Sequence, residues 1–378
     1  MKYLISLSFA LFSINALTAQ IPGASAVANS YASEGTTLGA NETISYNGIS
    51  LGNRVKLRGY VDFVYGYGDV DALGDDSRFT TSGDLDFLFD FSPVTGEAHF
   101  QASTEDVKLE QLFGRYSFNQ DFNLSFGRQL TSLGYEADEA PGLFSTSYGY
   151  FLDVAKNHDA LKPLLASVAS AYNNSFAPPL VEGNVGYQTA DSVLPSLRRN
   201  YVDGIRANFN NGQFGLSLGI HDGYWTKDDF NDHVAIDIAA SVVIIPGLEA
   251  RLGYAHQDLD DSDIGQINTW VEFSPGDLTL AFEYDYFDFH NDADLWDLMI
   301  LGNYQFTDLL GLTLRYSHED GDNIFYGDDY ESDRITLALL FSITQQFGIN
   351  FEYSHTDVDI GDASFDADEV YLESLFTF

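Results

Sequence analysis

The chain has 378 residues, no cysteine, 57 acidic against 17 basic side chains and a formal net charge of −40. That charge argues against nucleic acid as a partner, because a phosphate backbone would be repelled, and the absence of Cys excludes disulfides and a lipid-anchor thiol. Aromatic residues reach 15%, with 30 Phe, 23 Tyr and 33 Gly against 9 Pro, a composition that fits a membrane β-barrel with aromatic girdles and polar loops.

The first residues read as an export signal. Lys2 supplies a positive start and Leu4 to Phe12 is an apolar run too short for a membrane anchor. Cleavage after Ala19 defines a signal peptide over 1–19, and Ala24-Ser25-Ala26 offers a later site at 26. Residues 20–54 are rich in Ser, Ala, Gly and Asn and read as a periplasmic linker, leaving 55–378 for the folded body.

From residue 55 onward, period-two alternation marks strands with one apolar and one polar face. In 55–63, Val55, Leu57, Val61 and Phe63 oppose Lys56, Arg58 and Asp62; in 84–91, Leu85, Phe87, Phe89 and Phe91 oppose three Asp. The pattern recurs at 97–103, 109–118, 122–130, 201–209, 214–221, 234–243, 248–254, 267–273 and 278–286, then at 296–306, 312–318, 334–343, 347–353 and 370–378. About sixteen strands result, an even number, as a barrel with both termini on one side requires.

The connections alternate in length. Tight turns such as Ser92-Pro93-Val94-Thr95-Gly96, Asn210-Asn211-Gly212-Gln213 and Ser274-Pro275-Gly276-Asp277 alternate with longer acidic segments at 68–83, 226–232, 257–265, 287–294, 319–333 and 355–369. A β-sandwich would not show this short-long rhythm, and no repeat of about 40 residues supports a propeller. The expectation is an all-β fold, an antiparallel up-and-down transmembrane β-barrel in the bacterial outer membrane, with both termini periplasmic. Its mean hydropathy of −0.12 is compatible with this, since only half of each strand touches lipid.

The connection 131–200 is the longest and partly apolar, with Leu161, Leu165, Val168 and Tyr172 at helical spacing and Asp159 as a cap. A loop this long is usually functional. Two placements are open: folded inward to narrow the lumen, or packed as a lid on the outer rim.

Alternation assigns Lys56, Arg58, Arg115, Arg206, Arg251, Arg315 and Arg334 to the lumen, together with Asp62, Asp84, Asp86, Asp90, Glu97, Asp237, Glu249, Glu272, Glu283, Asp285, Asp297 and Glu352. On the lipid face a mid-strand Arg or Lys would cost about 2–4 kcal/mol. Two readings follow: a lumen filled by Arg–carboxylate pairs, or a water channel with a cationic stripe opposite an acidic loop. Aromatic anchors are expected at the long-loop ends (Tyr65, Tyr67, Tyr224, Trp225, Tyr254, Tyr284, Tyr286, Tyr316, Tyr353) and the short-turn ends (Phe118, Phe122, Phe209, Phe214, Phe306, Phe347, Phe378).

Asp258, Asp260, Asp261 and Asp263 offer oxygen ligands for loosely held Ca²⁺ or Mg²⁺, although no complete calcium-loop pattern is present and no resident cofactor is expected. The eight His are scattered, with His221, His256, His318 and His355 at outer strand ends, and there is no phosphate loop, zinc spacing or nucleophile elbow, so no enzyme is expected. The last strand ends on Phe376-Thr377-Phe378, where Phe376 and Phe378 read as the signal for the barrel-assembly machinery.

The segment Asn123-Leu124-Ser125-Phe126-Gly127-Arg128-Gln129-Leu130-Thr131-Ser132-Leu133-Gly134-Tyr135-Glu136, with Leu109-Glu110-Gln111-Leu112 before it and Glu139-Ala140-Pro141 after it, resembles the OmpL-like β-barrel porins of Gram-negative bacteria. Gln129 stands where their Gly-basic step would carry an aromatic residue, and the long insertion after Pro141 exceeds their first large loop. The resemblance implies a porin. With the charged lumen, it leads to an expected role as a diffusion channel for small polar solutes, modestly preferring cations. The alternative is a structural or adhesive barrel with a blocked lumen. Outer-membrane lipid, lipopolysaccharide and the assembly machinery are the expected partners, and a homotrimer is compatible with this topology.

Overall fold

A computed structural model describes residues 48–71, 74–104, 106–136, 139–157, 197–225, 234–258, 263–289, 293–325 and 328–378. The signal segment, most of the linker and the expected helix around Leu161 and Leu165 lie outside the described residues.

The first strands are β1 (Ile49–Ser50), β2 (Val55–Val70), β3 (Gly74–Phe91), β4 (Val94–Ser103), β5 (Val107–Ser117) and β6 (Phe122–Leu130). After the long loop come β7 (Tyr201–Asn210), β8 (Phe214–His221), β9 (Ala235–Ile245), β10 (Leu248–Asp258), β11 (Asp263–Phe273) and β12 (Leu278–Asp288). The chain finishes with β13 (Asp294–Gln305), β14 (Leu310–Phe325), β15 (Asp328–Ser342), β16 (Phe347–Ile360) and β17 (Ala363–Thr377). From β2 onward each strand pairs antiparallel with the next, and β17 pairs back onto β2 from Ala367↔Val70 to Thr377↔Tyr60. The sheet is therefore a closed barrel of sixteen strands, the form in which backbone polar groups inside lipid are all satisfied. All the strands expected from alternation are present.

β1 lies in the segment expected to be a linker, yet it pairs with the start of β2 through Ile49↔Leu57 and Ser50↔Lys56. It continues the edge where β17 stops. At that seam Phe378 and Gly59 exchange two backbone hydrogen bonds, each 2.9 Å long.

Several acidic segments expected as loops are strand instead. β2 and β3 pair out to Val70↔Gly74, leaving only 71–73 of the expected 68–83 connection. β16 and β17 run to Ile360↔Ala363, and β14 and β15 reach Phe325↔Asp328 with a register break after Gly321. In these hairpins Val70, Val358, Phe365 and Ala367 point inward and are buried in the apolar cluster that includes the inserted loop, while acidic residues face outward. The polarity of the alternation is inverted there while backbone pairing continues, as at Asp357↔Asp366.

The outer face of the wall is apolar. Phe63, Ile205, Ile238, Leu252, Ile300 and Leu314 are exposed, as side chains against lipid would be. Phe118, Phe214 and Phe306 at the short turns and Tyr254, Tyr316 and Tyr353 at the opposite end are also exposed, in the positions of two girdles. Tyr224 and Trp225 depart from the expected girdle: both are buried, their backbone amides donating to Gln257 Oε1 at 2.8 and 2.9 Å, while Trp225 Nε1 donates to Leu197 O at 3.0 Å. They lie just past the end of β8, where strand alternation no longer fixes direction, and they pack against the returning limb of the long loop.

Candidate functional site

The long loop turns into the barrel. Its two limbs are tied where they leave the wall: Thr131 N donates to Asn200 O at 2.8 Å and Asn200 N to Thr131 Oγ1 at 3.0 Å. From there the loop crosses the lumen and bonds to most of the wall in turn. Ser132 Oγ donates to Asp237 on β9, Gly134 N to Asn268 Oδ1 on β11 at 3.2 Å, and Tyr135 N to Glu283 Oε1 on β12 at 2.6 Å. The Tyr135 hydroxyl donates to Glu272 Oε2 at 2.8 Å. Glu136 takes Arg315 of β14 at 2.7 Å, and Thr146 and Ser147 donate backbone N–H groups to Glu352 of β16 at 2.6 and 3.0 Å. The inward placement therefore holds for the described limbs, 131–136, 139–157 and 197–200.

Two short helical pieces shape the path, a 3₁₀ turn (Ala140–Gly142) with Pro141 in its first turn and the helix α1 (Phe151–Asn157). α1 lies ten residues before the helix expected at Leu161. Its Leu152 N donates to Glu319 Oε2 at 3.2 Å, and Asp153 takes Arg198 of the returning limb at 2.7 Å. Arg198 is a hub: it also contacts Asp297, lies 3.6 Å from Glu319 and sits 3.7 Å over the ring of Tyr150. Leu133, Leu152, Val154, Tyr224 and Trp225 form an apolar cluster with the inner wall beneath these polar contacts.

Gly253 on β10 is what lets the loop approach. A Cβ there would stand 2.1 Å from Leu133 Cδ2, so no larger residue fits while Leu133 is buried.

Of the residues assigned to the lumen by alternation, Arg58, Arg115, Arg206, Arg251, Arg315 and Arg334 are buried inside, as are Asp84, Asp86, Glu97, Asp237, Glu283, Asp285, Asp297 and Glu352. Lys56, Glu249 and Glu272 are half-buried nearer the short-turn rim, and Asp62 is half-buried further along β2. Asp90 departs from the expectation: it is exposed at the short-turn mouth, where Oδ1 accepts Ser92 N at 2.9 Å, because it lies at the end of the hairpin. The basic residues do not form a stripe. They are distributed round the wall, and each arginine meets an acid or a loop carbonyl: Arg58 with Asp86 at 2.8 Å, Arg115 with Glu97 at 3.4 Å, Arg206 with Asp237 at 3.5 Å, Arg315 with Glu136, Arg334 with Glu369, and Arg251 with Ser132 O. His221, expected as an ordinary strand end, is buried with Nε2 2.6 Å from Asp237 Oδ1.

Alternation could not supply the loop side of these contacts. Glu136, Glu139, Asp153, Arg198 and Arg199 all bear on the lumen, yet they lie in irregular chain. The visible clue is Arg198-Arg199, two adjacent basic residues in a chain with 17 of them, at the point where the loop returns to the wall. Glu110 was hidden by a bulge: His99 pairs with Gln111 and Phe100 with Leu109, so Glu110 is the extra residue and turns inward. Of the acidic metal candidates, Asp258 and Asp263 are exposed and paired across the hairpin, while Asp260 and Asp261 lie outside the described residues.

Solved structures with the same architecture include bacterial outer-membrane channels. The outer membrane channel DcaP of Acinetobacter baumannii aligns over 86% of this chain and 97% of its own at 14% identity, with a TM-score of 0.57. The anion-selective porin from Comamonas acidovorans aligns over 86% and 99% at 15% identity, TM-score 0.56, and OmpT of Vibrio cholerae, in a trimer form, over 86% and 100% at 12% identity, TM-score 0.55. The fold is that of outer-membrane porins. No protein-family model matches the sequence, and the search among curated proteins gives no match.

Proposed function

We propose that this chain is an outer-membrane porin-type channel in which small hydrophilic solutes diffuse past the inserted loop, with a modest preference for cations. The observation that carries this is the division of the wall. Charged and amide side chains line the inner face at mid-strand on nearly every strand, while the outer face is apolar, so the interior is built for water. The limbs of 131–200 then set the bore, and the inward residues named above line it. Buried carboxylates outnumber buried guanidiniums about two to one, so the field inside favours cations. The Comamonas porin is anion-selective; the acidic excess of this inner wall supports the opposite preference here. Export, insertion by the assembly machinery at Phe376 and Phe378, contact with lipopolysaccharide, periplasmic termini and a homotrimer follow as parts of the same reading, and no chemical step is assigned to any residue.

One observation favours a second reading, a barrel whose lumen is blocked: Asp285, Asp297 and Arg334 are 1% exposed or less. Liposome swelling separates the two. Vesicles carrying the refolded protein should swell in isotonic solutions of small sugars and not of larger ones. Folded protein that admits no sugar would favour the blocked barrel.

A further inference from the structure

Where the inserted loop passes β3 and β5, three carboxylates converge. Asp84 on β3, Glu110 on β5 and Glu139 on the loop place oxygens within 4.8 Å of one another. All three are buried, Asp84 to 1% exposure, Glu139 to 6% and Glu110 to 8%. No hydrogen-bond donor among the described residues reaches either oxygen of Asp84 or of Glu139. A buried carboxylate is ordinarily paired or bound to a metal, because an uncompensated charge there is costly.

The surroundings sharpen the point. Asp86 is taken by Arg58 at 2.8 Å, and Glu97 by Arg115 at 3.4 Å and His99 at 3.2 Å. The neighbourhood thus holds the carboxylates Asp84, Asp86, Glu97, Glu110 and Glu139 against the guanidiniums Arg58 and Arg115 and the imidazole of His99. Even a charged His99 leaves an excess of two negative charges, the charge of one divalent cation. The bulge at Glu110 adds an independent sign, since without it strand parity would send Glu110 to the lipid face. Bulges of this kind re-aim a side chain where a site needs it.

We propose that Asp84, Glu110 and Glu139 bind one Ca²⁺ ion that fastens the inserted loop to β3 and β5. Ca²⁺ accepts irregular carboxylate shells of this kind, whereas Mg²⁺ demands a strict octahedron and gives up its water reluctantly. Ala140, next to Glu139, packs on Tyr60 and Leu375, so an ion held by Glu139 would fix the loop as it turns under Pro141.

The test uses the full chain refolded in detergent without lipopolysaccharide, at neutral pH and moderate salt, with terbium luminescence as the probe and Ca²⁺ as the competitor. Wild type should take up one tightly bound Tb³⁺ that Ca²⁺ displaces and Mg²⁺ does not. Asp84→Asn/Glu139→Gln should lose that site, while Asp258→Asn should keep it. Unchanged tight binding in the double variant would overturn the proposal. So would a wild type that binds no cation tightly, because the carboxylates would then be sharing protons. If the double variant does not fold, terbium-soaked crystals of the wild type decide: an anomalous peak between the three carboxylates supports the site, and its absence there refutes it.

Discussion

Arg315, buried on β14, holds Glu136 of the inserted loop at 2.7 Å and donates its other amino group to Ser147 O and Tyr148 O at 3.0 and 2.8 Å. One wall residue thus ties two separate stretches of the loop. Arg315→Gln should leave Glu136 buried without its cation, and breaking a buried pair in this way costs about 3–5 kcal/mol. The expected outcome is a lower urea midpoint with the barrel still forming, together with larger and noisier single-channel currents as the loop loosens. Unchanged stability and current would mean that the pair does not hold the loop.

Gly253 and Leu133 form a second anchor that relies on shape. Gly253→Ala forces a Cβ into the space of Leu133 Cδ2, 2.1 Å away, and overpacking of this kind costs about 1–3 kcal/mol. Adding Leu133→Ala should recover part of the loss, because it removes the atom in conflict. A double-mutant cycle on urea unfolding measures this, and strictly additive effects would contradict the contact.

The seam makes a prediction about assembly. Phe378 exchanges two backbone hydrogen bonds with Gly59, and its ring covers that glycine closely enough that a Cβ would meet Cζ at 2.8 Å. Deleting Phe378 should slow insertion and reduce the heat-modifiable band on gels. Gly59→Val should do the same by a different route, since its Cβ would meet the Asp84 carbonyl oxygen of β3 at 2.2 Å as well as the Phe378 ring. Normal folding of both would remove the terminal strand from the assembly account.

Selectivity follows from the charge of the inner wall. Neutralising Arg58 or Arg206, the latter 3.5 Å from Asp237, removes a cation from a lumen already rich in carboxylates. Each change should move the zero-current potential further towards cations, more so at low salt, where screening extends beyond ~8 Å. A shift towards anions would place those arginines outside the conducting path.

The barrel was legible because lipid enforces a rule along each membrane-spanning strand: apolar outward, polar inward. Ile236 and Ile238 against Asp237 show it within three residues. Above the belt that rule inverts, with Val358, Phe365 and Ala367 buried inward and Asp357, Asp366 and Asp368 exposed, which is why 355–369 reads as an acidic loop and folds as a hairpin. Inside the barrel, alternation names the wall half of each contact and stays silent on the other half. Asp297 could be placed inward from its strand; its partner Arg198 could not, because irregular chain carries no period. Tyr224 and Trp225 escape alternation for the same reason, three and four residues past the end of β8.

Single-channel recording in planar bilayers, with a polymer-exclusion series, separates an open bore from a sealed barrel. The purified, folded protein should give small ohmic steps, blocked only by small polymers that can enter the bore, with a cation-directed zero-current potential that grows at low salt. Correctly folded protein that inserts and conducts nothing would contradict the channel and leave a barrel sealed by its own loop.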